Sequence, residues 1–241
     1  MNIYFDFLDK IFQKNHRDKY CMIIFSSTNN KTLIMKLKIA SLPILSFFLF
    51  ALIACDESTA ELGGDQSEFG AVGIRATSYS VPAVLQGATA EVTALEDGVS
   101  VLTLTADFSD NDIQAIQQKL PNFDGRSNFD AEFRATSKGV QSVYDDGTSF
   151  TLVKYDAKVG DKYTLKRDGQ NLVREVTQKS TEDDYYWNGM LIKTITVVET
   201  GRAVPGLSDA KLVFNHKFGL VGYTLNFEDG SSEALDVYLT N

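Results

Sequence analysis

Asp97-Gly98, Asp146-Gly147, Asp168-Gly169 and Asp229-Gly230 each interrupt a run of β-prone residues. Asp-Gly accepts positive φ at both central positions of a type I′ turn, the tight turn whose twist matches that of two paired strands. A chain punctuated in this way is committed to antiparallel hairpins. The pairs fall 49, 22 and 61 residues apart. Repeat architectures hold one period, so these are one turn chemistry used four times rather than a solenoid or propeller.

The residues between the turns agree. Tyr223, Leu225 and Phe227 alternate with polar neighbours before the last Asp-Gly, and Leu235, Val237 and Leu239 alternate after it. Period-two alternation gives a strand one buried face and one wet face. Leu191 to Val198, "LIKTITVV", reads as a further strand. Others are expected near 90–95, 99–107, 131–136, 140–144, 149–155, 162–167, 171–179 and 211–215. One segment breaks the pattern. Ser109 or Asp110 can cap "NDIQAIQQKL", Ile113, Ile116 and Leu120 form a helical stripe, and Pro121 ends it. Acids at its start and Lys119 near its end suit the helix dipole. The expected fold is mainly β with one short helix: an antiparallel curved sheet or open half-barrel, with a β-sandwich as the alternative.

The first 80 residues read differently. Ile39 to Ala54 is an uncharged, largely apolar run behind Met35, Lys36 and Lys38. Basic residues, an apolar run and a small-residue end make a secretory signal. The run is short for a membrane span, which needs about 20 apolar residues. Leu52-Ile53-Ala54-Cys55 resembles the bacterial lipobox. That resemblance implies cleavage before Cys55, a diacylated group joined to its sulfur as a thioether, and a third acyl chain on its new amino group. A cleaved signal with an incidental cysteine is the alternative. We therefore read 1–34 as a mis-assigned extension ahead of the true start, 35–54 as the signal, 55–80 as the acylated cysteine with a polar, Gly/Ser-rich tether, and 81–241 as a single β-rich domain. Asp56 and Glu57 follow the cysteine. In some bacteria an acid there accompanies inner-membrane retention, in others an acidic cluster accompanies surface export. The expected location is the cell envelope, at the outer rather than the inner membrane, with the periplasmic or surface face left open.

Charge narrows the partners. The first 54 residues hold seven of the 23 basic residues and three of the 32 acidic ones, so 16 basic and 29 acidic remain, a net charge of −13. Such a field repels nucleic acid and anionic headgroups. The expected partners are membrane lipid through Cys55 and a protein or glycan ligand, with no nucleic acid. No cysteine follows Cys55, which leaves no disulfide framework and no thiolate nucleophile.

Candidate chemistry is sparse. His216 is the sole histidine after Cys55 and precedes a glycine turn, and no Gly-x-Ser-x-Gly elbow occurs. Asp107, Asp110 and Asp112 lack the spacing of a calcium loop and suit helix capping. Glu182, Asp183 and Asp184 are adjacent acids, of the kind that stay solvated in a loop. No catalytic residue, metal site or cofactor is assigned. The unusual patch is "DDYYWNGM", where Tyr185, Tyr186 and Trp187, the only tryptophan, sit before Asn188-Gly189. These rings are either packing at a barrel end or a stacking platform for a ligand. In an extended run, Tyr186 faces away from Tyr185 and Trp187.

"YDAKVGDKYTL" (Tyr155 to Leu165), "DDYYWNGMLIKTITVVE" (Asp183 to Glu199) and "NHKFGLVGYTLNFEDGSS" (Asn215 to Ser232) resemble an arrangement found in uncharacterised cell-envelope lipoproteins. Some of these are similar to periplasmic lipoprotein carriers, half-barrels closed by helices. The resemblance spans about the last 90 residues and implies no catalytic residues; this chain offers one helix where such carriers usually have more. Three functions follow in order: a non-catalytic binding module for a protein or glycan, a carrier of an apolar, lipid-like ligand, and a hydrolase. Replacing Cys55 with Ser should abolish palmitate incorporation and shift the mature domain to the soluble fraction. Unchanged acyl labelling contradicts the lipobox reading.

Overall fold

A computed structural model describes residues 58–80, 89–125 and 128–240. Among them the chain is mainly β. Strands β1 (Arg75–Ser80), β2 (Thr89–Glu96), β3 (Val99–Thr105), β4 (Asn128–Thr136), β5 (Gly139–Val143), β6 (Ser149–Lys154) and β7 (Lys162–Arg167) are followed by β8 (Gln170–Lys179), β9 (Tyr185–Trp187), β10 (Met190–Ile192), β11 (Ile195–Thr200), β12 (Leu207–Asn215), β13 (Gly219–Phe227) and β14 (Ser232–Thr240). One helix, α1 (Asp110–Lys119), joins β3 to β4. Twelve strands form a single antiparallel sheet in the order β6-β5-β4-β3-β2-β1-β14-β13-β12-β11-β8-β7, and β9 and β10 form a separate hairpin.

The Asp-Gly turns divide into two kinds. Asp97-Gly98 and Asp168-Gly169 have both residues at positive φ, as does Asn188-Gly189, which is the two-residue type I′ geometry. At Asp146-Gly147 and Asp229-Gly230 only the glycine is left-handed. There the loop is one residue longer, closed by Tyr144 N–H to the Thr148 carbonyl and Phe227 N–H to the Ser231 carbonyl. The aspartate instead accepts the amide two residues on, from Thr148 and Ser231, an Asx turn.

Inward-facing residues form one contiguous core that includes Leu102, Phe133, Phe150, Leu152, Leu212, Phe214 and Leu235. Each such side chain contributes about 1.5–3 kcal/mol on burial. The curl of the sheet brings its two edge strands, β6 and β7, together, and two residues join them. Ser58 accepts the Thr151 amide of β6 on its carbonyl, at 2.8 Å, and the Thr164 amide of β7 on its hydroxyl, at 3.0 Å. Arg174 on β8 reaches inside the sheet past β7. Its Nη1 donates to the carbonyls of Phe150 and Thr151, its Nη2 to Ser142 Oγ, and the guanidinium lies 3.9 Å over the Phe150 ring. Its Nε donates to Glu199 at 2.6 Å, and the other Glu199 oxygen takes Arg202 Nε at 2.7 Å. All three charged side chains are buried.

Both ends of the curled sheet are filled. At one end lies α1. Its capping box joins Ser109 and Asp112, and it presents Ile116 to the core beside Leu120 and Phe123. Gly206 passes so close to the helix end that a Cβ there would meet the Lys119 carbonyl at 1.9 Å. At the other end a 3-10 turn, Glu68–Gly70, inserts Phe69 against Gly219.

The curved antiparallel sheet with one helix is the expected class, and the helix and the β13–β14 hairpin lie where alternation and capping put them. Two expectations are corrected. Residues 58–80, read as tether, belong to the domain. Ser58 stitches the seam, Phe69 is core, and β1 is a central strand between β2 and β14. Few large apolar residues mark this stretch because backbone pairing and single side chains hold it. Leu191–Val198 is not one strand: it breaks at Lys193-Thr194, with β10 before and β11 after, because β10 pairs with β9 while β11 pairs with β8.

Glu199 sets a pH dependence. Burial alone would raise its carboxyl, but the Arg202 and Arg174 guanidiniums outweigh burial and hold it below the ordinary carboxylate range. Its stabilisation is complete above the unfolded value of about 4.3 and fades as pH falls through the lower folded value. Glu199→Gln strands two guanidiniums and should cost roughly 3–5 kcal/mol. Arg174→Met leaves the Glu199–Arg202 pair intact and should cost less. Urea unfolding between pH 3 and pH 7 checks both the order and the shallower acid decline of the Gln variant.

Candidate functional site

The β8–β11 pairing stops at Lys179 opposite Ile195. The chain between them does not turn back directly. Ser180 N–H bonds the Thr194 carbonyl to form a neck, and the Ser180 hydroxyl donates to Asp184. Beyond the neck, β9 and β10 pair Tyr185 with Ile192, Tyr186 with Leu191 and Trp187 with Met190. The Asn188-Gly189 turn closes them. Asn215 holds this outgrowth to the β12–β13 turn: its Nδ2 donates to the Lys193 carbonyl and its Oδ1 accepts the Lys217 and Phe218 amides.

One face of the hairpin packs on the outside of the sheet. Trp187, Ile192, Val213 and Val221 form a second buried cluster, bordered by Tyr185, Phe218 and Tyr238. The Trp187 ring lies 4.6 Å from the Phe218 ring and 5.9 Å, stacked, from Tyr238. Its Nε1 donates to the Val237 carbonyl at 2.8 Å. The pairing of β13 with β14 ends at Gly222 opposite Asp236, so the indole covers a carbonyl just past the last pair. Gly222 makes room for Tyr185, whose hydroxyl would lie 2.7 Å from a Cβ there. Burial, followed by Asp236 and Tyr238, raises the Tyr185 phenol above its ordinary value, so it stays protonated at physiological pH.

The other face is bare. Tyr186 is 73% exposed and its cross-strand partner Leu191 57%; Met190, which pairs with Trp187 and so leaves β10 on the packed side, is 44% exposed at the turn. Among the described residues the other exposed large apolar side chains, Val72, Leu95 and Val159, lie on three separate segments. Glu182, Asp183 and Asp184 are exposed at the neck. The arrangement is an apolar knob with acids beside it, set on a rigid aromatic base. It can pack against an apolar surface, stack on a flat face, and accept hydrogen bonds from amines or hydroxyls.

The three aromatic residues singled out from sequence are therefore adjacent but not equivalent. Trp187 is packing, Tyr185 is half-buried support, and Tyr186 alone presents an open ring. Leu191, which completes the bare face, escaped the sequence reading because it was assigned to a strand of the main sheet. Cys55 lies outside the described residues. His216 is an exposed turn residue edge-on to Tyr155, and Asp112 serves the helix cap. Among the described residues, no three His, Cys, Asp or Glu side chains are grouped to hold a metal. No family model, curated protein or solved structure matches the chain.

Trp187→Ala should cost about 3–5 kcal/mol, as large-to-small core changes do. Tyr186→Ala should stay within about 0.5 kcal/mol. Thermal unfolding measures both, and acrylamide should quench the native Trp187 fluorescence poorly.

Proposed function

We propose that this protein is a lipid-anchored lipoprotein of the bacterial cell envelope, held at the outer membrane through Cys55, and that it works as a non-catalytic binding module. The observation that carries the binding role is the Tyr186–Leu191 pair, exposed on a hairpin whose opposite face is locked by Trp187. An apolar pair left in water on a pre-ordered support loses little conformational entropy on docking. Aromatic and methionine side chains are enriched at protein interfaces, and Leu191 opposite the ring, with Met190 exposed at the turn, favours a protein partner. A glycan is the second reading, supported by the open Tyr186 ring next to three acids. The interior supports a surface role over the carriage of an apolar ligand, since it is occupied by large side chains and capped at both ends by α1 and Phe69.

A photo-crosslinking residue in place of Leu191, in the full-length protein in its own cells, should give a discrete crosslinked protein. The same residue in place of Lys211, exposed on β12, should not. Adding Tyr186→Ala should remove the Leu191 product, as truncating an aromatic anchor costs about 2 kcal/mol or more of binding. Identical patterns at both positions contradict the proposal. Glycan-array binding that Tyr186→Ala abolishes, with no crosslinked protein, turns the assignment to a glycan.

A further inference from the structure

A lipid-anchored domain on a long tether has no fixed orientation, whereas one on a short tether has a defined face against the membrane. Ser58, the first of the described residues, is buried and bonded to both β6 and β7. Cys55 lies three residues earlier. Three residues span at most about 10–11 Å even when fully extended. A free tether of about 24 residues, by contrast, would reach roughly 25–30 Å.

The geometry points to a seated orientation, with the β6–β7 seam resting on the bilayer surface and the β9–β10 hairpin facing away from it. This rests on acylation of Cys55. Two observations give the orientation. First, the attachment is at mid-strand. Ser58 meets Thr151, the third residue of β6, and Thr164, the third residue of β7, so the chain leaves from the seam itself rather than from an end of the barrel. Second, the hairpin rises from a neck on β8 and β11 but lies over strands far from the seam. Its Trp187 bonds Val237 on β14, which is six strands from β6 and five from β7 in the sheet order. In a nearly closed sheet that is the opposite wall.

The seam face is also suited to a headgroup layer. β7 turns Lys162, Thr164 and Lys166 outward. The β6–β7 loop carries Lys158 and Val159, an aliphatic side chain 60% exposed. Val159 is five residues before Thr164, within about 17 Å of it along the chain. Acids interleave here, Glu175 paired with Lys162 and Asp146 with Arg167, so the seating comes from the short attachment and not from a basic surface. The occupant of this face is the zwitterionic headgroup layer to which the acyl chains commit the protein.

The test uses the acylated protein in phosphatidylcholine vesicles that carry a headgroup-attached fluorescence quencher. Acylated Cys55 has no free thiol, so a bimane label enters only at an introduced cysteine: Val159→Cys, Lys166→Cys or Tyr186→Cys, one per variant. Quenching should be severalfold stronger at 159 and 166 than at 186. Inserting about 20 Gly/Ser residues between Glu57 and Ser58, a reach of roughly 25 Å, should bring the three sites close to equality. Equal quenching in the uninserted protein, with acyl chains confirmed on Cys55 by mass, overturns the orientation alone. Absence of acyl chains overturns the anchoring reading together with it.

Discussion

Any open sheet has two edges whose unpaired amides and carbonyls invite other strands. Here the edges face each other, and Arg174 holds them there from inside. Its fork satisfies two β6 carbonyls and one β5 hydroxyl while its stem belongs to β8. Taking a guanidinium out of water costs several kcal/mol. Glu199 offsets that cost at 2.6 Å, and Arg202 secures the remaining carboxylate oxygen. The geometry specifies which strands meet. A Met or Leu at 174 would avoid that desolvation cost but would not tell β6 from any other edge. Ser58 completes the closure from outside by accepting one amide from β6 and one from β7.

Closure has a consequence for function. With the interior filled by large side chains and both ends covered, the proposed binding role falls to the outer surface. The sheet's own outer face is largely polar, and residues 58–70 cross it over β4, β5 and β6, where Gln141 bonds Leu62 and Ala60 and Arg134 meets Glu61. Among the described residues, the β9–β10 outgrowth is where large apolar side chains are both exposed and adjacent. It is rigid because its underside is a small core of its own. A knob of this kind needs the β12–β14 wall as a floor, and Gly222, lacking a side chain, leaves room on that wall for the Tyr185 hydroxyl.

The sequence made some of this legible. Alternation located β13 and β14, and the helix boundaries followed from Ser109 and Pro121, because those signals are local. Period two also placed Tyr186 opposite its neighbours. The buried ion cluster had a signal that went unread. Arg174 is in phase with Leu172 and Val176, and Glu199 with Ile195 and Val197, so each charge sits at an inward position of its strand. The role of Ser58 had no local signal at all, since it depends on two strands that are about 90 and 105 residues away and meet only when the sheet curls. The turn types behaved similarly. Asp-Gly permits the two-residue loop, but at Asp146 and Asp229 the strand register selects the three-residue form. Whether Trp187 or Tyr186 faces solvent was likewise undecidable until β9 was seen to lie on β12–β14.

Amide hydrogen exchange tests the closed seam most directly. Thr151 and Thr164 sit on edge strands, where an open sheet would leave their outward amides in water. Closure predicts that both exchange as slowly as interior amides such as that of Leu212 on β12, because Ser58 accepts them behind the buried Arg174. Exchange of Thr151 and Thr164 at the rate of exposed turn amides, while Leu212 remains protected, would contradict it.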